Sequence, residues 1–178
     1  MGVIDKVIAA VAPDPSDEDL QTARSKARAI AGTGWLADVL DHHAQIEDCF
    51  AAVKGASSVE GRKKAQKELA LIMTGHSIAE EAVIYPAMAS SGHAGGSGEL
   101  YTEQSAAKVQ MAELDDLDPT SQDYLDKLEH IRGAVAHHVY EEESKYFPKL
   151  KDEVDSATQA KLTRKYKEEY ERYVGPSA

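Results

Sequence analysis

His76 and Glu80 stand four residues apart, and so do His138 and Glu142. Each pair is followed by a second glutamate, an aromatic residue and a proline at matching distances: Glu81, Tyr85 and Pro86 in one copy, Glu143, Phe147 and Pro148 in the other. Residues four apart on a helix lie one above the other on one face, so each copy aims an imidazole and a carboxylate at one point. Such paired nitrogen and oxygen donors are a metal-binding grip, and the chain offers it twice.

A lone His-x-x-x-Glu on a helix is usually a solvated pair, so the surrounding apolar pattern decides its meaning. After Gly34, the residues Leu36, Val39, Leu40, His43, Ile46, Phe50 and Val53 recur at helical spacing, a stripe with a histidine inside it. The Gly and Ser stretch 55–58 interrupts the pattern, and Leu69, Ile72, Met73, His76, Glu80, Val83, Ile84 and Ala87 resume it. The Ser- and Gly-rich segment Ala89 to Gly98 predicts a loop, after which Leu100, Gln104, Ala107, Met111 and Leu114 form a third stripe. Beyond Pro119 a fourth stripe runs through Tyr124, Leu128, Ile131, Val135, His138 and Glu142. Both grips therefore continue buried stripes and point inward. Burying their carboxylates without a counter-charge would cost several kcal/mol, and a cation removes that cost. With His43 entering from the first helix, five donors converge: His43, His76, Glu80, His138 and Glu142.

Four amphipathic helices joined by short links favour an all-α, up-down-up-down bundle over residues 34–150. Residues 1–33 form an N-terminal extension whose helix begins near Ser16, a suitable N-cap with Asp17, Glu18 and Asp19 in the first turn. Residues 151–178 carry a charged helix from Ser156 to Val174, stopped by Gly175 and Pro176. Both outer helices are expected to pack outside the bundle. The first helix pair also maps onto the second. In that register Leu40, His43 and Phe50 correspond to Tyr101, Gln104 and Met111, so Gln104 stands where a second single histidine is expected.

These motifs resemble the hemerythrin-like family of HHE cation-binding domains. The resemblance covers residues 36 to 150 and rests on Leu40-Asp41-His42-His43 through Glu47 and Phe50, then His76-x-x-x-Glu80-Glu81 with Tyr85-Pro86, and His138-x-x-x-Glu142-Glu143 with Phe147-Pro148. It implies a four-helix bundle holding two iron ions, oxo- or hydroxo-bridged, that binds, senses or detoxifies O2, NO or H2O2. By resemblance His43, His76, Glu80, His138 and Glu142 are the iron ligands, with the two glutamates as bridges. The family would place a histidine at Gln104. An amide oxygen is a poorer iron ligand, so the position is weakened, opened to solvent, or served by a neighbour: Glu103, Tyr101 or His42.

His42 also leaves the register of the first helix open by one residue, and the stripe favours His43. His137 lies about 100° around the helix from His138 and reads as a residue behind the ligands or on the surface rather than as a ligand. Glu81 and Glu143 either accept the second N–H of a ligating histidine or stand as solvated surface carboxylates, and the sequence weighs the two about equally. His93 falls in the predicted loop as a bystander, and Cys49 reads as a small core residue.

Composition bounds the rest. With 178 residues, 42% hydrophobic and 29% charged, the chain suits one folded domain. The formal net charge of -11 disfavours nucleic acid as a partner. The single cysteine excludes an intrachain disulfide and fits the cytoplasm. The apolar run Val7 to Ala12 is too short for a membrane span and is closed by Pro13 and Pro15. The expected function is a cytoplasmic di-iron protein acting on a small oxidant or diatomic, with a catalase-like activity as one form of it. The alternatives are a non-catalytic regulatory module that docks a protein partner, and a site holding a single metal ion.

Overall fold

A computed structural model describes residues 15–175, and among them every regular element is helical. In chain order they are α1 (Asp17–Ala31), α2 (Trp35–Gly55), α3 (Val59–Ala79), α4 (Tyr85–Met88), α5 (Ala94–Leu114), α6 (Gln122–Glu141), α7 (Phe147–Glu153) and α8 (Ser156–Val174). Wider π-helical turns join three of the junctions: Glu80–Ile84, Ala89–His93 and Glu142–Tyr146. The run Val7 to Ala12 lies outside the described residues. None of the described helices is long and apolar enough to cross a membrane.

The bundle is built from α2, α3, α5 and α6, with α2 against α3 and α6, and α5 against α6 and α3. This ring of neighbours is the all-α, up-down-up-down arrangement that short connections impose. Its apolar interior divides in two. One cluster, with Trp35, Leu36, Leu40, Ile84, Tyr85, Met88 and Phe147, fills one end, and a second, with Ile46, Phe50, Leu69, Leu114, Leu128 and Ile131, fills the other. The histidines and glutamates lie between them.

Both outer helices reach into this core. Ala27 and Ala31 of α1 and Leu162, Tyr166 and Tyr170 of α8 belong to the first cluster, so the flanking helices complete the interior that holds the site. α1 starts with a capping box in which Ser16 and Asp19 exchange bonds with each other's backbone N–H groups. α8 starts at Asp155, whose carboxylate accepts from Thr158 N at 2.7 Å. α8 also caps α2. Gly34 (φ 147) has no side chain to do so, and the Thr163 hydroxyl accepts from Trp35 N at 2.9 Å while a Cβ on Gly34 would lie 2.9 Å from that same oxygen.

One expectation fails. The Ser and Gly segment Ala89 to Gly98 is helical, apart from a kink at Gly92 (φ 92), and α5 begins at Ala94. Glycine in a helix costs about 1 kcal/mol each, which tertiary contacts can outweigh. Here Ser97 is buried with its hydroxyl donating to Tyr85 O at 3.1 Å, and His93 Nε2 lies 2.6 Å from Glu153 Oε2, a hydrogen bond that holds His93 in place.

Candidate metal centre

The two grips sit on equivalent distortions. Glu80 opens one π-helical turn and Glu142 another, each closed by an i to i+5 bond, Tyr85 N to Glu80 O and Phe147 N to Glu142 O. The prolines fit this local widening. With Tyr85 N bonded to Glu80 O and Pro86 lacking an N–H, Glu81 O has no helical donor, and the Tyr101 hydroxyl supplies one. Tyr101 is therefore corrected from candidate ligand to helix support. Single π turns cluster at functional sites because they re-aim side chains that a regular helix would hold on a fixed stripe.

His43, His76, Glu80 and Glu142 come together in the middle of the bundle, each offering one donor atom, and all four atoms lie within 4.8 Å of one another. The glutamates are fully buried, and His43 and His76 are 1% and 4% exposed. His43 Nε2 stands 3.2 Å from Glu142 Oε2 and 3.9 Å from Glu80 Oε1, and His76 Nε2 lies 3.1 Å from Glu80 Oε2. His138 occupies the other side of Glu142, with its Nε2 3.2 Å from Glu142 Oε1. Glu142 thus turns one oxygen to each half of the site.

The surroundings hold these imidazoles by their second nitrogens. His43 Nδ1 bonds Glu143 Oε1 at 2.8 Å, and Arg24 of α1 reaches the same carboxylate at 3.1 Å while its other nitrogens grip Glu47. His138 Nδ1 bonds Glu103 Oε2 at 2.8 Å, so Glu103 orients a histidine. His76 Nδ1 lies 3.2 Å from the Tyr166 hydroxyl of α8, which in turn lies 2.8 Å from His42 Nδ1. His42 points away from the cluster and stacks on Tyr170, ring centroids 3.7 Å apart. Carboxylates and hydroxyls on the far nitrogen fix the tautomer and leave Nε2 free for a metal. Glu81, a candidate for that role, instead pairs with Lys108 at 2.5 Å. His137 lies off the cluster, its Nδ1 buried without a hydrogen-bond partner.

Electrostatics show how strongly this centre calls for positive charge. Burial alone would lower the His43 imidazole, yet the Glu142 and Glu143 carboxylates raise it to about 9. Burial opposes the charged form of His138 too, and Glu142 and Glu103 carry it to about 10. Burial would push the Glu142 carboxyl up, and the His138 and His43 imidazoles override it and hold it well below the ordinary range. His42 goes the other way, to about 3, through burial and the charges of His76 and His43.

A cation fits these residues. His43 Nε2, Glu80 Oε1 and Glu142 Oε2 are buried with no hydrogen-bond partner, although they lie within 4 Å in pairs. Orphaned polar atoms of this kind are costly unless something absent from the protein's own atoms completes them. Imidazole with carboxylate is the donor set of iron, zinc and manganese sites.

Residues 36–150 match the hemerythrin HHE cation binding domain. The chain belongs to this family. The chain is also 32% identical over 84 residues to a DNA nickase of Nostoc sp. (strain PCC 7120 / SAG 25.82 / UTEX 2576), a match covering 47% of this chain and 24% of that protein. The chain thus spans about a quarter of that relative's length. No solved structure matches.

The repeat's predicted gap is where the HHE domain departs from expectation. Gln104 is buried, and its Nε2 donates to Glu80 Oε2 at 2.6 Å, leaving Oε1 without a partner. Beside it sits a cavity of about 30 Å³ lined by His76, Gln104 and His138, by Ser77, Glu103 and Lys108, and by apolar residues that include Ile46, Ala107 and Val135. Sequence reasoning missed four participants: Arg24, Tyr166, the orienting role of Glu103, and the Tyr85 hydroxyl, which lies 2.7 Å from Glu142 Oε1. Only the aromatic-proline spacing after each Glu-Glu marked Tyr85, and nothing in the pattern told ring packing from a working hydroxyl.

Proposed function

We propose that this HHE domain holds two iron ions and binds or turns over a small oxidant or diatomic, with H2O2 as its best-fitting ligand. The observation that carries the reading is the cavity beside Gln104. One water needs on the order of 10–15 Å³ of such space. A cavity of about 30 Å³ therefore takes a ligand of two heavy atoms and excludes an organic substrate. His43, His76, Glu80, His138 and Glu142 would hold the metal, with the two glutamates shared between its halves.

Iron bound here would supply the redox chemistry and the open coordination position that reaction with an oxidant requires. The protein supplies the rest. Glu143, Glu103 and Tyr166 keep the far nitrogens of His43, His138 and His76 engaged, so their Nε2 lone pairs face the centre. The apolar lining limits water. Gln104 offers its free carbonyl to a ligand with an O–H to donate; H2O2 has two, and O2 and NO have none.

The formal charge of -11 argues against carrying to this chain the activity in the Nostoc relative's name, since binding a phosphate backbone needs a clustered basic surface. A reducing, cytoplasmic setting suits the reading, with Cys49 buried and free.

Anaerobic loading with Fe(II), followed by iron analysis and by absorption spectra before and after H2O2, tests the proposal. Two irons per chain, near-ultraviolet bands of a bridged ferric pair and catalysed peroxide loss are expected. A single ion with no spectral response to peroxide, O2 or NO would overturn it.

A further inference from the structure

We propose that Tyr85 is itself a metal ligand, the oxygen donor that makes up for the imidazole missing at Gln104; the inference rests on the metal-centre reading above. Tyr85 is fully buried at the first residue after the π-helical turn. Its hydroxyl lies 2.7 Å from Glu142 Oε1, 3.2 Å from His138 Nε2 and 3.3 Å from Glu80 Oε2. These are the two shared carboxylates and the one imidazole on the second side of the site.

Hydrogen bonding cannot satisfy this cluster once His138 serves as a ligand. Glu103 accepts at His138 Nδ1, which fixes the proton there and leaves Nε2 as a lone pair. Gln104 Nε2 already donates to Glu80 Oε2, so Glu142 Oε1 and the His138 Nε2 lone pair are left with the single proton of Tyr85 between them. A cation among the four resolves the conflict. On binding, the phenol O–H bond gives way to an oxygen–metal bond, the proton leaves to solvent, and no oxidation state changes.

The two halves of the site then differ in a definite way. His43 and His76 serve one side, His138 and Tyr85 the other, with Glu80 and Glu142 between. The π turn is what makes this geometry available: its wider winding carries residue i+5 back over residue i, so Tyr85 returns above Glu80. The equivalent residue after Glu142 is Phe147, which has no hydroxyl and packs edge-on against Trp35 at 5.6 Å. Tyr101 supports the arrangement without joining it. Its ring meets Tyr85 edge-on at 5.0 Å while its hydroxyl is spent on Glu81 O.

The 178-residue chain loaded with iron and oxidised to Fe(III) provides the test. Tyrosinate bound to Fe(III) gives a visible charge-transfer band and resonance-enhanced ring vibrations, which carboxylates and imidazoles do not. The wild type is expected to show both, Tyr85→Phe to lose both while remaining helical by circular dichroism, and Tyr101→Phe to keep both. Iron content, measured separately, reports on the underlying metal centre. Two irons without tyrosinate vibrations in the wild type would overturn the role of Tyr85 and leave the di-iron reading standing. Persistence of the vibrations in Tyr85→Phe would also overturn it, and a wild-type chain that takes up no iron would overturn both.

Discussion

Gln104 has its orientation forced by its neighbour. Glu80, as a carboxylate, can only accept, so the amide must turn Nε2 toward it and leave Oε1 for the cavity. A ligand with an O–H gains one hydrogen bond from this carbonyl, worth about 0.5–1.5 kcal/mol, or roughly 2- to 12-fold in affinity. Gln104→Leu removes the acceptor and with it the Nε2 donor to Glu80, a loss that acts on every ligand alike, so the difference between two ligands isolates the acceptor. In the iron-loaded protein it is expected to raise KM for H2O2 by up to about tenfold while leaving NO affinity, read by spectral titration, within about twofold. Equal weakening of both ligands would mean that the side chain only shapes the cavity. Glu143 has a different task, since it joins His43 to Arg24. Glu143→Gln is expected to weaken metal binding by about 10- to 100-fold, as loss of a carboxylate behind a ligating histidine usually does, measured by competition with a chelator.

The outer helices matter because each touches the far side of a candidate ligand histidine, α1 through Arg24 and Glu143, α8 through Tyr166. α8 depends on its N-cap. Backbone hydrogen bonding from Thr158, then its side chain, holds the Asp155 carboxyl below its ordinary 3.8. A carboxyl lowered by folding stabilises the fold above its unfolded value, and that contribution is lost as pH falls through the lowered one. Amide exchange in the first turn of α8 is therefore expected to accelerate as pH drops below about 4, beyond the intrinsic trend, and the effect should vanish in Asp155→Asn. A similar acceleration in Asp155→Asn would assign the acid sensitivity elsewhere. The element scale also shows what the sequence could reveal. Bundle helices and inward-facing histidines were legible because burial repeats at helical spacing, as in Leu36, Leu40, His43 and Phe50. The helix through Ala89 to Gly98 was not, since Ser97 and His93 owe their order to Tyr85 and Glu153, contacts no local pattern encodes. Arg24 and Tyr166 were hidden for the same reason: they lie 119 and 90 residues from the side chains they serve.

At the scale of the molecule, the bundle encloses Glu80, Glu142 and Glu143 at 0%, 0% and 1% exposure, and the outer helices add Ala27, Ala31, Leu162, Tyr166 and Tyr170 to the packing of the inner four. Buried charge of this density is a burden on stability until a cation completes it. A metal that binds only the folded chain adds RT ln(1 + [M]/Kd), about 2.7 kcal/mol at a hundredfold excess over Kd. For a chain of this size that corresponds to a rise in Tm of roughly 5–10 °C. Thermal melts with and without anaerobic Fe(II) are expected to show this rise, and a chelator should reverse it. Arg24→Met and Tyr166→Phe remove groups on opposite flanks that contact no metal, so each should fold yet show a smaller metal-induced rise than the wild type. An undiminished rise in both would mean that α1 and α8 merely cover the bundle, and that the metal reads only the four helices between them.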